Sequence, residues 1–236
     1  MQYNYEKFSS SEYDLENVGG PAPGSKAPDF ELATLDGGRQ RLLSFSGEFL
    51  VVEFGSVTCP LFQTRRRGME KVIESHPRSD FVILYVREAH PGSSIPQHRS
   101  LDEKLQRARE VKDTDAEQRR ILVDDLEGRA HQAFGCYPNA IFIVNRNGCV
   151  VYRSDWNDWK AVHKALSQLE AGEPARAKSL FKPAAPPIAW RTLQRSGAGA
   201  FADFIKSLPV LIWKNLILRN MRELRGRNHV DPKVTC

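Results

Sequence analysis

The stretch E53-F-G-S-V-T-C-P-L-F-Q-T-R-R-R-G68 decides how this chain is read. An apolar run, FLVVEF at 49–54, drives straight into Cys59, and Pro60 follows at once. A continuous apolar run of this length predicts a buried central strand. Proline is favoured at the first helical position, so a helix is expected from Pro60 to about Ser75. Cys59 then sits where a strand hands over to a helix. Unpaired N–H groups and the positive helix end there favour a thiolate and lower a cysteine pKa. A buried, inert thiol is the commonest fate of a lone cysteine, and the strand-to-helix position argues against it here. Ser56 or Thr58 could donate a hydrogen bond to the sulfur. Arg65, Arg66 and Arg67 span most of a turn, so at most part of the set can face it.

Outward from that stretch the pattern is orderly. FELATLDGGRQRLL predicts a β-hairpin about Asp36-Gly37-Gly38, and DFVILYV (80–86) a second buried strand. SLDEKLQRAREV (100–111) predicts a helix with Ser100 and Glu103 in capping-box spacing. RRILVDD (119–125) predicts a short strand and LEGRAHQAF a short helix. NAIFIVNRNGCVVYR (139–153) reads as a hairpin around Asn147-Gly148. Trp159, Val162, Leu166 and Leu169 then recur at helical spacing up to Gly172. Strands alternating with helices predict an α/β domain with a central mixed sheet flanked by helices. An N-terminal β-hairpin precedes it and a helical extension follows.

The segments fall into a loose leader at 1–24, a main domain at 25–171, a Pro/Ala/Lys-rich linker at 172–196, and a basic amphipathic helical tail at 197–236, kinked at Pro209. Residues 1–170 hold 22 Lys+Arg against 25 Asp+Glu, whereas residues 171–236 hold 12 against 4. The basic character belongs to the tail, which could lie on a membrane surface or dock on a partner. Charge without a recognised motif gives no reason to expect nucleic-acid binding. A hydrophobic content of 41% with no long apolar run predicts no membrane span. Four cysteines (Cys59, Cys136, Cys149, Cys236) lie far apart without CxxC or Cys/His clustering, which argues against a disulfide scaffold and a metal site. The polar N-terminal stretch has no apolar signal core. The expected location is therefore cytoplasmic, or peripheral at a membrane.

Pro138 precedes a strand predicted beside the strand–Cys–helix unit, which resembles the cis-proline of thioredoxin-like folds. The opening GSKAPDFELATLDGG is similar to that of redoxin domains. Three co-linear stretches, VVEFGSVTCPLF, DFVILYVREAHP and IPQHRSLDEKLQRAR, resemble the iodothyronine deiodinases over about residues 25–170. In that family selenocysteine usually stands at the position of Cys59. The resemblance implies a thioredoxin-like fold and a thiol oxidoreductase that removes halogen reductively from a small aromatic substrate. It implies no bound cofactor, only an external thiol reductant such as thioredoxin or glutathione. Carried over, Cys59 is the nucleophile, Ser56 and Thr58 support its anionic form, and Glu88, His90 and His98 complete the site. An imidazole titrating near 6.5 can supply the proton that the ring carbon needs. Read without the family, His90 and His98 could equally cap loops, and Glu88 could pair with Arg87 or Arg99.

Two other readings stay open. Ser56 lies three residues before Cys59, as the hydroxyl residue does in peroxiredoxins, although Val52 stands where their proline would. A thiol peroxidase would need a resolving thiol, for which Cys136 is the nearest candidate. A non-catalytic redoxin-like binding module is the third reading. Phe62 in place of a second cysteine argues against a CxxC disulfide reductase.

Overall fold

The structure, a computed structural model, describes residues 3–16, 19–225 and 229–236. Parts of the expected leader and tail (1–2, 17–18 and 226–228) lie outside the described residues. The hairpin β1 (Glu31–Thr34) and β2 (Arg39–Arg41) precedes β3 (Phe49–Gly55), which feeds α1 (Pro60–Ser75). Then follow β4 (Asp80–Tyr85), α2 (Leu101–Asp113), β5 (Arg120–Val123) and α3 (Arg129–Ala133). A second hairpin, β6 (Ile141–Asn145) and β7 (Val150–Ser154), leads to α4 (Trp159–Glu170). The strands form one sheet in the order β2-β1-β5-β4-β3-β6-β7. β3 pairs with β4 in parallel and with β6 antiparallel, and β4 pairs with β5 in parallel. This mixed sheet between helices is a thioredoxin-like α/β fold.

β3 is buried along its whole length, as an apolar run demands. Its period of two sends Leu50, Val52 and Phe54 to one face, with Phe134 and Phe142. Phe49 and Val51 go to the other face, against Met69 and Val72 of α1 and Val162 and Leu166 of α4. Gly68 lets α1 and α4 close on each other. A Cβ there would lie 2.4 Å from Cδ1 and Cγ of Trp159.

The leader is not loose. Tyr5, Phe8, Tyr13 and Leu15 are buried in the main core. Each such side chain contributes about 1.5–3 kcal/mol on burial. Arg87 fixes them: its guanidinium lies 4.9, 4.7 and 4.8 Å from the ring centres of Tyr3, Tyr5 and Tyr13 and donates to the carbonyls of Tyr3 and Glu12.

The expected linker is also corrected. Its second half is the helix α5 (Pro186–Ser196), with two prolines at its start. Gly92, Ser93, Ser94 and Ile95 meet the turn after α5: Ser94 and Ile95 N–H donate to Ser196 O, and Ser93 N–H to Ala198 O. Beyond lie α6 (Ala200–Leu211), a π-helical stretch (Ile212–Arg219) and α7 (Asn220–Leu224). Pro209 stands inside α6, and the widened π turns begin three residues later. Proline removes an N–H from the helical ladder, and a local change of winding accommodates the loss.

Two cysteines that the sequence leaves unpaired are joined. Cys149 and Cys236 form a disulfide across a sequence separation of 87, with Cα atoms 5.8 Å apart. The cysteines are distant in sequence, but residues 229–236 fold back along the β6–β7 turn. Asn145 and Asn147 hold them there by donating to the carbonyls of Pro232, Lys233 and Val234.

Candidate active site

Cys59 caps α1, as its position before Pro60 predicts, and its Sγ accepts from Phe62 N–H at 3.5 Å. Gly55 at the end of β3 makes room for that turn, since a Cβ there would come within 2.5 Å of the Phe62 ring. The electrostatics, however, run opposite to the expected thiolate. Cys59 is only 2% exposed, and burial pushes its pKa up to about 12. The N–H groups of Phe62 and Leu61 pull it down, and the charges of Glu53 and Glu88 push it further up. The resting sulfur is a thiol.

The three arginines do not oppose this. Arg65 is spent on the carbonyls of Asn157 and Lys182, Arg66 pairs with Glu117, and Arg67 is exposed. Neither hydroxyl neighbour bonds the sulfur. Ser56 Oγ accepts from Ala89 N–H at 3.2 Å. Thr58 O–H donates to Glu88 Oε2 at 2.6 Å and accepts from His90 N–H at 3.1 Å. Both fasten the Cys59 turn to the loop after β4.

Glu88 is the centre of that fastening. One carboxylate oxygen takes Thr58 N–H at 3.0 Å as well as the Thr58 hydroxyl; the other takes the Tyr85 hydroxyl and lies 3.2 Å from His98 Nε2. The His98 contact has ion-pair distance without hydrogen-bond geometry. Burial alone would raise the Glu88 pKa, but His98, Thr58 and Tyr85 outweigh it and hold the carboxyl below its ordinary value. Neither Arg87 nor Arg99 is its partner: Arg87 serves the leader. Arg99 N–H instead donates to Glu103, next to Ser100, which caps α2.

His90 faces a different space. With Cys59, Pro138, Phe8, Trp156 and Phe204 it lines an apolar cavity of about 110 Å³. Its ring lies 4.1 Å from that of Phe8 and 5.5 Å from that of Phe204. Burial pushes its pKa down to about 3, so the imidazole is neutral, and its Nδ1 has no hydrogen-bond partner among the described residues. Pro138 lines the cavity beside Cys59, but the peptide before it is trans, since no cis bond occurs among the described residues. Cys136 does not line this cavity. Its sulfur lies 3.8 Å from His131 Nδ1, so the structure does not bring the expected resolving thiol to the site.

Sequence reasoning missed three parts of the site. Gln97 clamps Glu88, accepting from its N–H at 3.0 Å and donating to its carbonyl at 2.7 Å. Buried Glu53 on β3 accepts from Asn139 and Asn157 at 2.9 and 2.6 Å and pairs with Arg119. That network ties the Pro138 turn to the strand before Cys59. An acidic residue inside an apolar strand was the available signal. The third part is the roof, Phe204, Leu208, Leu211 and Asn215 of the helical extension, where only an apolar helical face is legible in the sequence. No group of three His, Cys, Asp or Glu among the described residues is placed to hold a metal.

Comparison with known proteins adds a relationship to this geometry. The family model for iodothyronine deiodinase matches residues 5–168, beginning inside the leader. Thyroxine 5-deiodinase of Ovis aries is 32% identical over 148 residues, covering 57% of this chain and 48% of that protein. Its Homo sapiens counterpart is 31% identical over 148 residues, covering 57% and 46%. The chain thus spans about half the length of the curated relatives it matches. Among solved structures, an uncharacterized conserved protein from Geobacillus kaustophilus superposes with TM-score 0.56 at 18% identity, over 72% of this chain and 96% of that one. A hypothetical protein from Sinorhizobium meliloti does so with TM-score 0.54 at 20% identity, over 66% and 87%. These last two share the fold.

Proposed function

The chain belongs to the iodothyronine deiodinase family, and from that premise we propose that it removes halogen reductively from a small aromatic ring, with Cys59 as nucleophile and an external thiol as reductant. The observation that carries this reading is the shared cavity. An apolar, aromatic-rich wall holds the thiol and a neutral imidazole and little else that is polar.

The chemistry balances as follows. The sulfur of Cys59 attacks the halogen along the carbon–halogen bond. A sulfur–halogen bond forms, the carbon–halogen bond breaks, and its electron pair stays on the ring carbon. That carbon takes the proton which the thiol gives up, with His90 as carrier: its free Nδ1 accepts the proton before the ring receives it. An external thiol then attacks the Cys59 sulfur, releasing halide and a proton and leaving a mixed disulfide. A second thiol restores Cys59 and leaves as the oxidised disulfide. Glu88, with Thr58 and His98, acts as a positioning group, holding the Cys59 turn against the His90 loop.

Cavity size bears on the substrate class. A cavity of about 150 Å³ accepts benzene, so a cavity of about 110 Å³ takes a halogenated ring only as the roof moves, and a single ring demands less movement than two joined rings. Halogenated monocyclic phenols are therefore expected to outperform iodothyronines. The test is iodide release by the dithiothreitol-reduced protein from iodinated phenols and thyronines, with hydrogen peroxide turnover in parallel, for wild type, Cys59→Ser and His90→Ala. Iodide release lost in both variants is the expected result. Peroxide turnover that needs Cys59 but tolerates His90→Ala, without iodide release, would assign the site to a peroxidase instead.

A further inference from the structure

Exposed large hydrophobic side chains gather in one place. Among the described residues all ten lie between Trp190 and Leu224. Val210, Trp213, Ile217, Met221 and Leu224 follow one another three or four positions apart, which aligns them along one side of the helical run. Trp190 of α5 extends the patch by stacking edge-on against Phe201 of α6, with ring centres 4.9 Å apart. A contiguous apolar patch of this kind is uncommon on a monomer that meets only water.

Exposed charge along these helices has one sign. Within residues 186–225 the exposed charged side chains are Arg191, Lys206, Arg222 and Arg225, all cationic, and of these Arg222 donates to the carbonyls of Leu15 and Glu16. The two acids of the segment are withdrawn: Asp203 is half-buried, and Glu223 is buried, accepting Ser179 N–H. At the rim Lys214 is paired with Glu16. Tryptophans at 47% and 55% exposure, aliphatic side chains between them and the exposed cations Lys206 and Arg225 on the same helices match the interface of an anionic bilayer. No helix among the described residues is long and apolar enough to cross a membrane, so the segment would lie along the surface.

We propose that the outer face of α5, α6, the π-helical stretch and α7 seats this protein on an anionic lipid surface. Trp190, Trp213, Ile217 and Met221 enter the headgroup region, and Lys206 and Arg225 meet lipid phosphates. The opposite side of the same helices roofs the Cys59 cavity with Phe204, Leu208 and Leu211. The cavity then lies about one helix diameter, ~10 Å, from the lipid.

The test is co-sedimentation of the full chain, disulfide intact, with vesicles of phosphatidylcholine alone and of phosphatidylcholine and phosphatidylglycerol in equal parts. Binding to the anionic vesicles, weakened about tenfold or more by high salt, is expected. The triple variant Trp213→Ser, Ile217→Ser, Met221→Ser changes only exposed side chains. It should keep its circular dichroism spectrum and lose vesicle binding, while Lys206→Glu with Arg225→Glu should lose the preference for anionic lipid. Failure to bind anionic vesicles overturns the proposal, as does a triple variant that binds like wild type. Elution as a dimer that the triple variant dissolves, without vesicle binding, would assign the face to a second copy of the chain.

Discussion

At the residue scale, the decisive fact is that burial overrides the helix end at Cys59. Helix N-termini and nearby N–H groups do lower a thiol pKa, and Phe62 and Leu61 do so here, yet the sulfur ends near 12. Alkylation of Cys59 by iodoacetamide should therefore be slow at neutral pH and should still rise about tenfold per pH unit above 9, where an ordinary thiol has levelled off. A plateau near pH 7 would show a thiolate and contradict the burial. The two buried histidines make a second prediction. His90 and His131 are both held near pKa 3, below the unfolded value of about 6.5. Between those values the unfolded chain binds more protons, so the neutral rings stabilise the fold above about pH 6.5, and this is lost as pH falls towards 3. Denaturant midpoints should drop through that window, and His90→Phe should flatten part of the drop. An unchanged profile in that variant would place the titration elsewhere.

At the scale of elements, α1 is where the sequence was most legible. Pro60 at its start, Cys59 as its cap and the end at Ser75 all follow from local chemistry. Both hairpins, β4 and α2 were readable for the same reason, since turn residues, apolar runs and caps act within a few positions. The errors arise where distant segments meet. Nothing local marks Tyr5, Phe8 and Tyr13 as core residues, because what buries them is Arg87 and the loop after β4. Pro186 and Pro187 read as linker and are the first turn of α5. Ser56, Thr58, Glu88, His90 and His98 could be named from motifs, but their bonding could not, and Ser56 and Thr58 turned out to hold loops together instead of the sulfur. The α1–α4 contact gives the prediction at this scale. Gly68→Ala places a methyl 2.4 Å from the Trp159 ring and should cost about 1–3 kcal/mol as the helices part. Urea denaturation would measure it, and a neutral result would mean that Trp159 yields freely.

For the whole molecule, the extension after residue 171 changes what the family domain can do. It clamps the loop that carries His90 and closes the cavity over Cys59. The Cys149–Cys236 bond ties residues 229–236 to the sheet. For a loop of 87 residues the chain-entropy relation gives about 4–5 kcal/mol of stability. Reduction should lower the denaturation midpoint accordingly, and Cys236→Ser should already show the lower value and ignore reductant. Equal stability with and without reductant would contradict the bond's role.

Cys59 as the nucleophile is checked most sharply by a single turnover without added reductant. Cys59 and Cys136 are the two free thiols of the chain. Protein with both thiols reduced, mixed with an iodinated phenol, should form one equivalent of the deiodinated phenol while one titratable thiol disappears, mapped to Cys59 by mass spectrometry. Deiodinated product formed with Cys59 still free, or a lost thiol with no product, would rule out halogen transfer to Cys59.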